Sequence, residues 1–400
     1  MLRGREIAVV GGGIAGLSLA LALALRGARV RVMERAARIE EVGAGLQISP
    51  NGHAVLRALG VAEAVEARAV RGRVVRLRDG LSGRDVLRLD LAGRHPERRF
   101  LFVHRADLVA SLAAGARAAG VEIETGAEVA AVKEEGEAVR LVLAGGEARE
   151  AELAIGADGI HSRLRPILNG AAAPFFTGQA AWRALVPATG AEPPEVSVFM
   201  GPGRHLVRYP LRGGALVNIV AVEERREWAA EGWHQRDEPA RLRAAFAGFA
   251  PEVGRLLERV EEVFLWGLFR HPVARRWHSE RLAILGDAAH PTLPFLAQGA
   301  NMALEDAWVL ARCLDEEEPS RALAAYQAAR RARVVRAIEA ANANARNYHL
   351  ANPLLRGLAH GVLRLGGALF PHAALSRFEW LYGHDVTAGE GKPARRPSRP

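Results

Sequence analysis

The chain has 400 residues and half of them are apolar, so it can bury one large core or two ordinary ones. The formal net charge is +9, but all except two of the 54 basic residues are arginines, spread along the whole sequence without a basic block that carries interleaved aromatics. The charge therefore does not predict a nucleic-acid surface, although a positive field would attract small anions. The single cysteine, Cys313, excludes an internal disulfide and has no metal-ligating companions, so we expect no metal site and a reducing cytoplasm.

The N-terminal segment has the order strand, glycine turn, helix, strand, acid. An apolar run at 7–10 precedes GGGIAG, a helical pattern at 14–25 follows, and a second strand at 30–33 ends at Glu34. Two arginines ahead of the helix also imitate a secretory signal, but cleavage there would destroy the unit. No other run approaches the roughly 20 apolar residues of a membrane-spanning helix. We therefore expect a cytoplasmic protein without a membrane anchor.

The glycine turn carries the spacing GxGxxG at Gly11, Gly13 and Gly16. Between a strand and a helix, these glycines allow a tight turn and bring backbone amides and the helix N-terminus to a pyrophosphate. Glu34, at the end of the second strand, would accept hydrogen bonds from a ribose and disfavours a bound 2′-phosphate. The alternative is a turn that only lets helix and strand pack closely. NAD and FAD both fit this motif.

Two further strand ends each deliver an aspartate. The first lies in AELAIGADGIHSRLR at 151–165 and supplies Asp158, and the second follows an apolar run at 281–285 in GDAAHP and supplies Asp287. An extended FAD needs such distant second and third contact points, whereas NAD on a single Rossmann unit does not. The pair favours FAD, although either aspartate could instead cap a helix.

Between these segments the periodicity alternates, which predicts a mainly antiparallel sheet inserted into the first domain. Strands are predicted at 177–187, 196–200, 205–210, 215–223 and 263–269, with a helical stretch at 238–260 and later helices at 301–314 and 320–349. The predicted units are an FAD-binding domain at 1–175 and 273–345, a substrate-binding sheet domain at 176–272, a C-terminal helical region at 346–385 and a disordered tail at 386–400.

Taken in chain order, the segments GGGIAG with MER, HRADL, GADGIHSRLR and GDAAHPTLPFLAQGANMALED resemble the single-component FAD-dependent aromatic hydroxylases, from about residue 5 to about residue 385. The salicylate hydroxylase and 3-hydroxybenzoate 6-hydroxylase branch is the most similar. The resemblance implies an α/β fold in which a Rossmann-type, glutathione-reductase-like FAD domain holds the inserted sheet and is followed by C-terminal helices. It also implies a monooxygenase, monomeric or homodimeric, with bound FAD, NAD(P)H as transient co-substrate and oxygen transfer from a flavin C4a-hydroperoxide to a small hydroxylated aromatic acid.

The resemblance further assigns cofactor contacts. It implies that the pyrophosphate contacts Gly11, Gly13, Ala15 and Gly16 and that the adenosine contacts Glu34 and Arg35. The phosphates or ribityl chain would contact Arg105, a ribityl hydroxyl would contact Asp287, and both FAD and the nicotinamide would contact Asp158. The flavin ring and its N1/O2 edge would contact Gln47, Pro294, Gly299, Ala300 and Asn301. Arg105 could alternatively form a surface ion pair, and Gln47 could be a solvated turn residue.

His205 and Tyr209 lie four residues apart in one predicted strand and therefore share a face. Since the resembled family places active-site His and Tyr groups in a matching strand, we expect His205 to relay the phenolic proton, Tyr209 to orient the substrate and Gln298 to hydrogen-bond it. The alternative is an ordinary sheet histidine and a half-buried tyrosine. Three other functions stay open: a hydroxylase of an N-heterocyclic acid such as hydroxynicotinate, a dehydrogenase or reductase of this fold that inserts no oxygen, and a non-enzymatic flavin-binding module.

Overall fold

The computed structural model describes residues 1–39, 44–91, 93, 95–171, 173–190, 192–225, 235–370 and 373–388, without the side chains of 344–347. The predicted tail therefore lies outside the described residues from position 389 onward. Over the described ranges, no helix has the length and apolar character that crossing a membrane requires.

The strands in these ranges are β1 (Glu6–Val10), β2 (Arg29–Glu34), β3 (Gly45–Ile48), β4 (Val70–Gly72), β5 (Val74–Asp79), β6 (Asp85–Asp90), β7 (Phe100–His104), β8 (Glu122–Thr125), β9 (Val129–Glu135), β10 (Ala138–Leu143), β11 (Ala148–Ala151), β12 (Leu153–Gly156), β13 (Phe175–Pro187), β14 (Glu195–Gly201), β15 (Arg204–Leu211), β16 (Leu216–Glu224), β17 (Arg236–Asp237), β18 (Val263–Arg270) and β19 (Leu282–Ile284). The α-helices are α1 (Ile14–Leu25), α2 (Pro50–Ala58), α3 (Ala62–Glu66), α4 (Arg105–Ala118), α5 (Leu164–Asn169), α6 (Pro239–Ala245), α7 (Pro251–Glu258), α8 (Gly299–Glu316), α9 (Pro319–Tyr348), α10 (Pro353–Leu369), α11 (Ala373–Ser376) and α12 (Glu379–Tyr382).

A five-stranded parallel sheet forms the centre of the first half of the fold. Its strand order is β19-β12-β1-β2-β8, so three strand ends predicted to carry ligand contacts lie side by side. The last four residues of β1 are all buried, as expected of a parallel strand covered on both faces. Helix α1 packs between this sheet and helices α4 and α8. The predicted Rossmann-type unit is therefore confirmed.

An eight-stranded, mainly antiparallel sheet forms the second half, in the order β17-β18-β13-β16-β15-β14-β5-β6. Its only parallel pair among the described strands is β14 with β5. Strands β5 and β6 come from residues 74–90, inside the range predicted for the FAD-binding domain, and their side chains are mostly half-buried or exposed, which gives little alternation to detect. The boundaries of the domains stay a prediction.

The helical stretch predicted at 238–260 consists of two helices, α6 and α7. Pro251 is the first residue of α7, and its ring fits that position because the first helical residue needs no N–H donor. Both helices cover the outer face of the large sheet, where Trp182, Phe246 and Leu257 share one core. Small sheets of order β11-β10-β9 and β3-β7-β4 complete the strands.

A buried group of charges joins α8, α9 and the end of β19. Asp306 Oδ2 accepts a hydrogen bond from the Gly286 amide at 3.1 Å and lies 2.5 Å from His290 Nε2, while Arg330 Nε donates to its Oδ1 at 2.8 Å. Glu305 Oε2 lies 2.6 Å from the same guanidinium. Burial alone would raise the pKa of Asp306, but His290 and Arg330 outweigh it and lower that pKa to about 2. The carboxylate is therefore charged, and both of its oxygens have hydrogen-bond partners.

Asp306→Asn should lower the free energy of unfolding by about 3 to 5 kcal/mol, because it removes one partner of a buried ion group and leaves the other charges uncompensated. Urea unfolding of the variant and the parent at pH 7 measures this difference. Asp315→Asn is the matched control, since Asp315 lies on the same helix with a side chain that is 40% exposed and pairs with the N-terminus.

The same pair of proteins gives a second check at acid pH. The folded pKa of Asp306 is depressed, so its contribution is complete above its unfolded pKa of roughly 3.9 and is lost as the pH falls toward about 2. The stability difference between parent and Asp306→Asn should therefore shrink between these pH values. An equal difference at pH 7 and pH 3 would contradict this account.

Candidate active site

The three predicted ligand segments meet at the carboxyl edge of the parallel sheet. A side chain at Gly11 would place its Cβ 2.4 Å from the carbonyl oxygen of Ala157, so the glycine turn lies directly against the end of β12. Gly286 at the end of β19 has φ +58°, and a Cβ there would lie 3.0 Å from that of Ala15. Only glycine permits these close approaches, and they bring the Asp158 and Asp287 segments to the start of α1.

The start of α1 is built for close backbone approach. Its N-cap is Gly13, which supplies no capping side chain, and a Cβ on Gly16 would lie 1.9 Å from the carbonyl oxygen of Gly11. Glu34 lies beside this turn, because its Oε2 accepts a hydrogen bond from the Gly12 amide at 2.6 Å. The helix N-terminus is therefore open to an anion, with a carboxylate next to it. Arg35 follows Glu34 and is exposed.

Asp287 and Arg105 lie close enough to interact electrostatically. The Asp287 side chain is accessible to solvent, yet protein atoms crowd it: burial raises its pKa, while His290 and Arg105 act in the opposite direction. Arg105, the first residue of α4, shows the same combination, since burial lowers its pKa and Asp287 raises it. Side chains that are both accessible and closely surrounded line a concave site. The two residues predicted to bind the ribityl and phosphate groups are thus neighbours.

Asp158 has one carboxylate oxygen in a local turn and one without a partner. Its Oδ2 accepts a hydrogen bond at 2.7 Å from the amide of Arg163, the N-cap residue of α5, which has no side-chain cap of its own. Its buried Oδ1 has no hydrogen-bond partner among the described atoms, and burial raises the pKa of this carboxyl. A buried acceptor of this kind calls for a donor such as a ligand hydroxyl, so the residues around the cleft fit FAD.

The N-terminus of α8 is tied to the segment that leads from β3 into α2. Asn301 Oδ1 accepts from the Ser49 amide at 2.9 Å, and its Nδ2 donates to the Gln47 carbonyl at 3.0 Å. Gln298 donates to Ser49 Oγ at 3.0 Å and accepts from Asn51 Nδ2 at 3.2 Å. These two side chains position the start of α2 relative to the start of α8. The side-chain amide of Gln298, predicted to bind substrate, is used in this contact. Its substrate role stays a prediction.

The remaining predicted flavin contacts lie at this junction. Gly299 and Ala300 begin α8, no side chain caps its amides, and Pro294 starts a short 3-10 turn just before it. Three residues at this junction were not among the predicted contacts: Ser49, Asn51 and Gly52. A Cβ on Gly52 would lie 2.2 Å from Asn301 Oδ1, and the polar run SPNG at 49–52 was the signal that could have indicated them.

The inner face of the large sheet lies against the loop at 293–295. Ala181, Val222 and Trp266 of the sheet share one core with Leu293 and Phe295 of the loop. His205 is on this face, since the strand register places it opposite Val222 and its ring centroid lies 5.9 Å from that of Phe295. A mostly apolar surface therefore faces the residues that flank Pro294.

Tyr209 lies farther along β15 on the same face. Its ring packs 5.3 Å from that of Phe102, and its hydroxyl lies at Gly45, where an added Cβ would meet it at 2.7 Å. Asn218 Oδ1 accepts from the Gly45 amide at 2.8 Å beside it. The predicted shared face of His205 and Tyr209 is present, and both side chains are buried.

Arg183 is a cation on this face that the sequence analysis missed. It pairs in register with Val220 and stacks 4.5 Å above the ring of Trp266. Burial lowers its pKa to about 10, Arg105 acts in the same direction, and Tyr209 acts against them. The abundance of arginine in the chain hid this residue, although WRALV in a strand that alternates otherwise apolar side chains was a signal.

Comparison with known proteins decides the family. The model of the FAD binding domain family matches residues 5–341. The chain belongs to this family. It is 40% identical over 354 residues to 3-amino-4-hydroxybenzoate 2-monooxygenase of Streptomyces cremeus, covering 86% of this chain and 88% of that protein.

Two further comparisons agree. The chain is 32% identical to 3-hydroxybenzoate 6-hydroxylase of Klebsiella oxytoca, covering 94% of this chain and 96% of that protein. A solved salicylate hydroxylase substrate complex is 25% identical and has a TM-score of 0.79, covering 96% of this chain and 97% of that one. The predictions of the fold class, of FAD as cofactor and of an FAD-dependent aromatic monooxygenase are confirmed.

Asp287→Ala should weaken FAD binding by about tenfold or more, because a hydrogen bond to a charged group contributes roughly 1.5 to 3 kcal/mol. Titration of the apoprotein with FAD, followed by flavin fluorescence, measures the dissociation constant. Asp315→Ala at the far end of α8 is the control and should bind FAD like the parent. Equal affinities in Asp287→Ala and the control would remove Asp287 from the cofactor site.

Proposed function

We propose that the protein hydroxylates a small aromatic acid that carries a phenolic hydroxyl, with NAD(P)H and O2 as co-substrates. The observation that supports this most is the inner face of the large sheet. His205 and Arg183 contact side chains of the apolar cluster that includes Leu293 and Phe295, and Tyr209 lies farther along the same face. The compounds named for the related enzymes carry both a hydroxyl and a carboxylate on one ring. One cation and one neutral base suit those two groups.

The cation is Arg183, and we assign the substrate carboxylate to it. A guanidinium surrounded by protein is costly to keep charged, so a carboxylate placed beside it gains a charge-assisted hydrogen bond in a medium of low dielectric. Its stacking on Trp266 fixes the plane of the guanidinium. Arg183 would therefore orient the ring as well as bind it.

The base is His205. Burial and the neighbouring His349 lower the pKa of His205 well below its usual value, so the imidazole is neutral near pH 7 and can accept the phenolic proton. Tyr209 stays protonated because burial raises its pKa, and its hydroxyl can donate to the substrate. A phenolate is a better nucleophile than a phenol. The base thus prepares the ring for oxygen transfer.

Bound FAD supplies electron transfer and the activation of dioxygen. The proposed contacts that hold it are Gly11, Gly13, Ala15, Gly16, Glu34, Arg35, Gln47, Arg105, Asp158, Asp287, Pro294, Gly299, Ala300 and Asn301. Leu293, Phe295 and Trp266 pack together beside the proposed ring site and exclude water from it. A second GxGxxG unit is absent from the sequence, so we propose that the nicotinamide co-substrate binds transiently in a groove. The resemblance to the salicylate hydroxylase branch favours NADH over NADPH.

The proposed reaction is tested by oxygen uptake. Purified holoenzyme with NADH should consume oxygen faster when salicylate, 3-hydroxybenzoate or 3-amino-4-hydroxybenzoate is added. The product should carry one oxygen atom derived from O2, and its mass shows whether the carboxylate is kept or released as CO2. Benzoate, which lacks the hydroxyl, and 6-hydroxynicotinate are comparison compounds. Stimulation by 6-hydroxynicotinate alone would move the substrate class to N-heterocyclic acids, and no stimulation by any phenolic acid would contradict the proposal.

Arg183→Met should raise the KM for the carboxylated phenol by about 10 to 100-fold, which corresponds to loss of a hydrogen bond between charged groups. The KM for the parent phenol without a carboxylate should stay within about twofold, because that compound has no group for Arg183 to bind. Arg236→Met is the control, since Arg236 lies on an edge strand of the same sheet and its side chain is 77% exposed. An equal rise for both phenols would assign Arg183 a packing role.

A further inference from the structure

A chain of three hydrogen-bonded side chains leads from His205 to the protein surface. His205 Nδ1 lies 2.6 Å from His349 Nε2, and His349 Nδ1 lies 3.0 Å from Glu224 Oε1. His205 is 2% exposed, the His349 side chain is 2% exposed and that of Glu224 is 55% exposed. The chain therefore begins in the interior and ends in solvent.

The outer carboxylate determines which nitrogen carries each proton. Glu224 can only accept, so His349 Nδ1 must donate to it, and the other nitrogen of neutral His349 is then an acceptor. His205 Nδ1 must donate to that acceptor, which leaves a lone pair on His205 Nε2. The contacts thus fix His205 as the tautomer that can receive a proton from a substrate.

We propose that His349 and Glu224 transfer to solvent the proton that His205 takes from the substrate hydroxyl. This rests on the proposed function, because it needs a phenolic substrate at His205. The phenolic O–H bond breaks and a bond forms at His205 Nε2, while the proton on Nδ1 passes to His349 Nε2. The Nδ1 proton of His349 passes to Glu224, which releases it to water. No electrons are gained or lost, and the substrate keeps the negative charge.

The charged surroundings favour rapid passage over storage of the proton. Burial and Arg204 of β15 lower the pKa of His349, while Glu224 of β16 raises it. On its other sides, His205 faces the rings of Tyr348 and Phe295. Neither imidazole is therefore a stable site for a positive charge, and a proton that enters the pair moves on to the carboxylate. His349 and Glu224 act through His205 and are positioning residues.

The experiment uses the holoenzyme without NADH. Rapid mixing with 3-hydroxybenzoate in weak buffer that contains a pH indicator measures both the proton released to solvent and the phenolate absorbance of the bound ligand. Glu224→Gln and His349→Gln should slow proton release by about tenfold or more, below the roughly 10² to 10⁴-fold typical of losing a general base itself. The equilibrium affinity for the ligand should change by about threefold at most.

Three comparisons separate a relay from a structural role. Glu262→Gln is the control, because Glu262 is 53% exposed and pairs with Arg236 away from this chain. Small weak acids and bases such as imidazole should accelerate release in Glu224→Gln, whereas lost packing would not respond to them. Glu224 lies at the surface, so its variant tests the relay even where His349→Gln does not fold.

Two results would overturn the relay, and they differ in what else they affect. Proton release at the parent rate in Glu224→Gln, with phenolate still formed, removes the relay and leaves the proposed function intact. Binding of phenolic acids to the parent enzyme without any proton release removes both. The relay is supported if proton release is slow in Glu224→Gln, if added imidazole restores the parent rate in that variant, and if Glu262→Gln releases the proton at the parent rate.

Discussion

The single carboxylate of Asp306 connects the parts of the cofactor cleft. It accepts a hydrogen bond from the Gly286 amide at the end of β19, next to Asp287, and behind it the carboxylate contacts His290 and pairs with Arg330. A buried charge is tolerated only when every acceptor position is used, so this group leaves little freedom to the loop that follows β19. The position of Asp287 therefore follows from the packing of α8 on α9.

Buried hydrogen bonds also connect helix α8 to the start of α2. Asn301 and Gln298 at its start hold the N-cap of α2, and Glu305, one turn after Asn301, accepts a hydrogen bond from Asn51 of α2 at 2.6 Å. One helix thus positions the flavin-edge amides, the Gln47 segment and the Asp287 loop relative to one another. Because all of these contacts are buried hydrogen bonds, the protein itself holds these elements in place.

The inner face of the large sheet carries the polar side chains that we assign to the substrate. Its outer face is a conventional apolar core under α6 and α7, whereas the inner face mixes Arg183, His205 and Tyr209 with aliphatic and aromatic side chains. Groups in such surroundings depart from their usual pKa values because water is scarce. Burial lowers the pKa of His205 and keeps its imidazole neutral, whereas the pKa of Arg183, lowered to about 10, still leaves the guanidinium charged near pH 7.

The sequence by itself determined the local units: strand, glycine turn and helix at Gly11 to Gly16, the strand ends at Asp158 and Asp287, and the strand that carries His205 and Tyr209. Each is encoded by periodicity and turn residues within about 20 positions, which is the range over which such signals act. The tertiary structure decided which distant residues meet. His349 contacts His205 across 144 positions of the chain. The strand register places Arg183 opposite Val220 on the inner face of the large sheet, and β5 joins that sheet by a parallel pairing with β14. Contacts of this kind depend on packing between elements, and no local pattern encodes them.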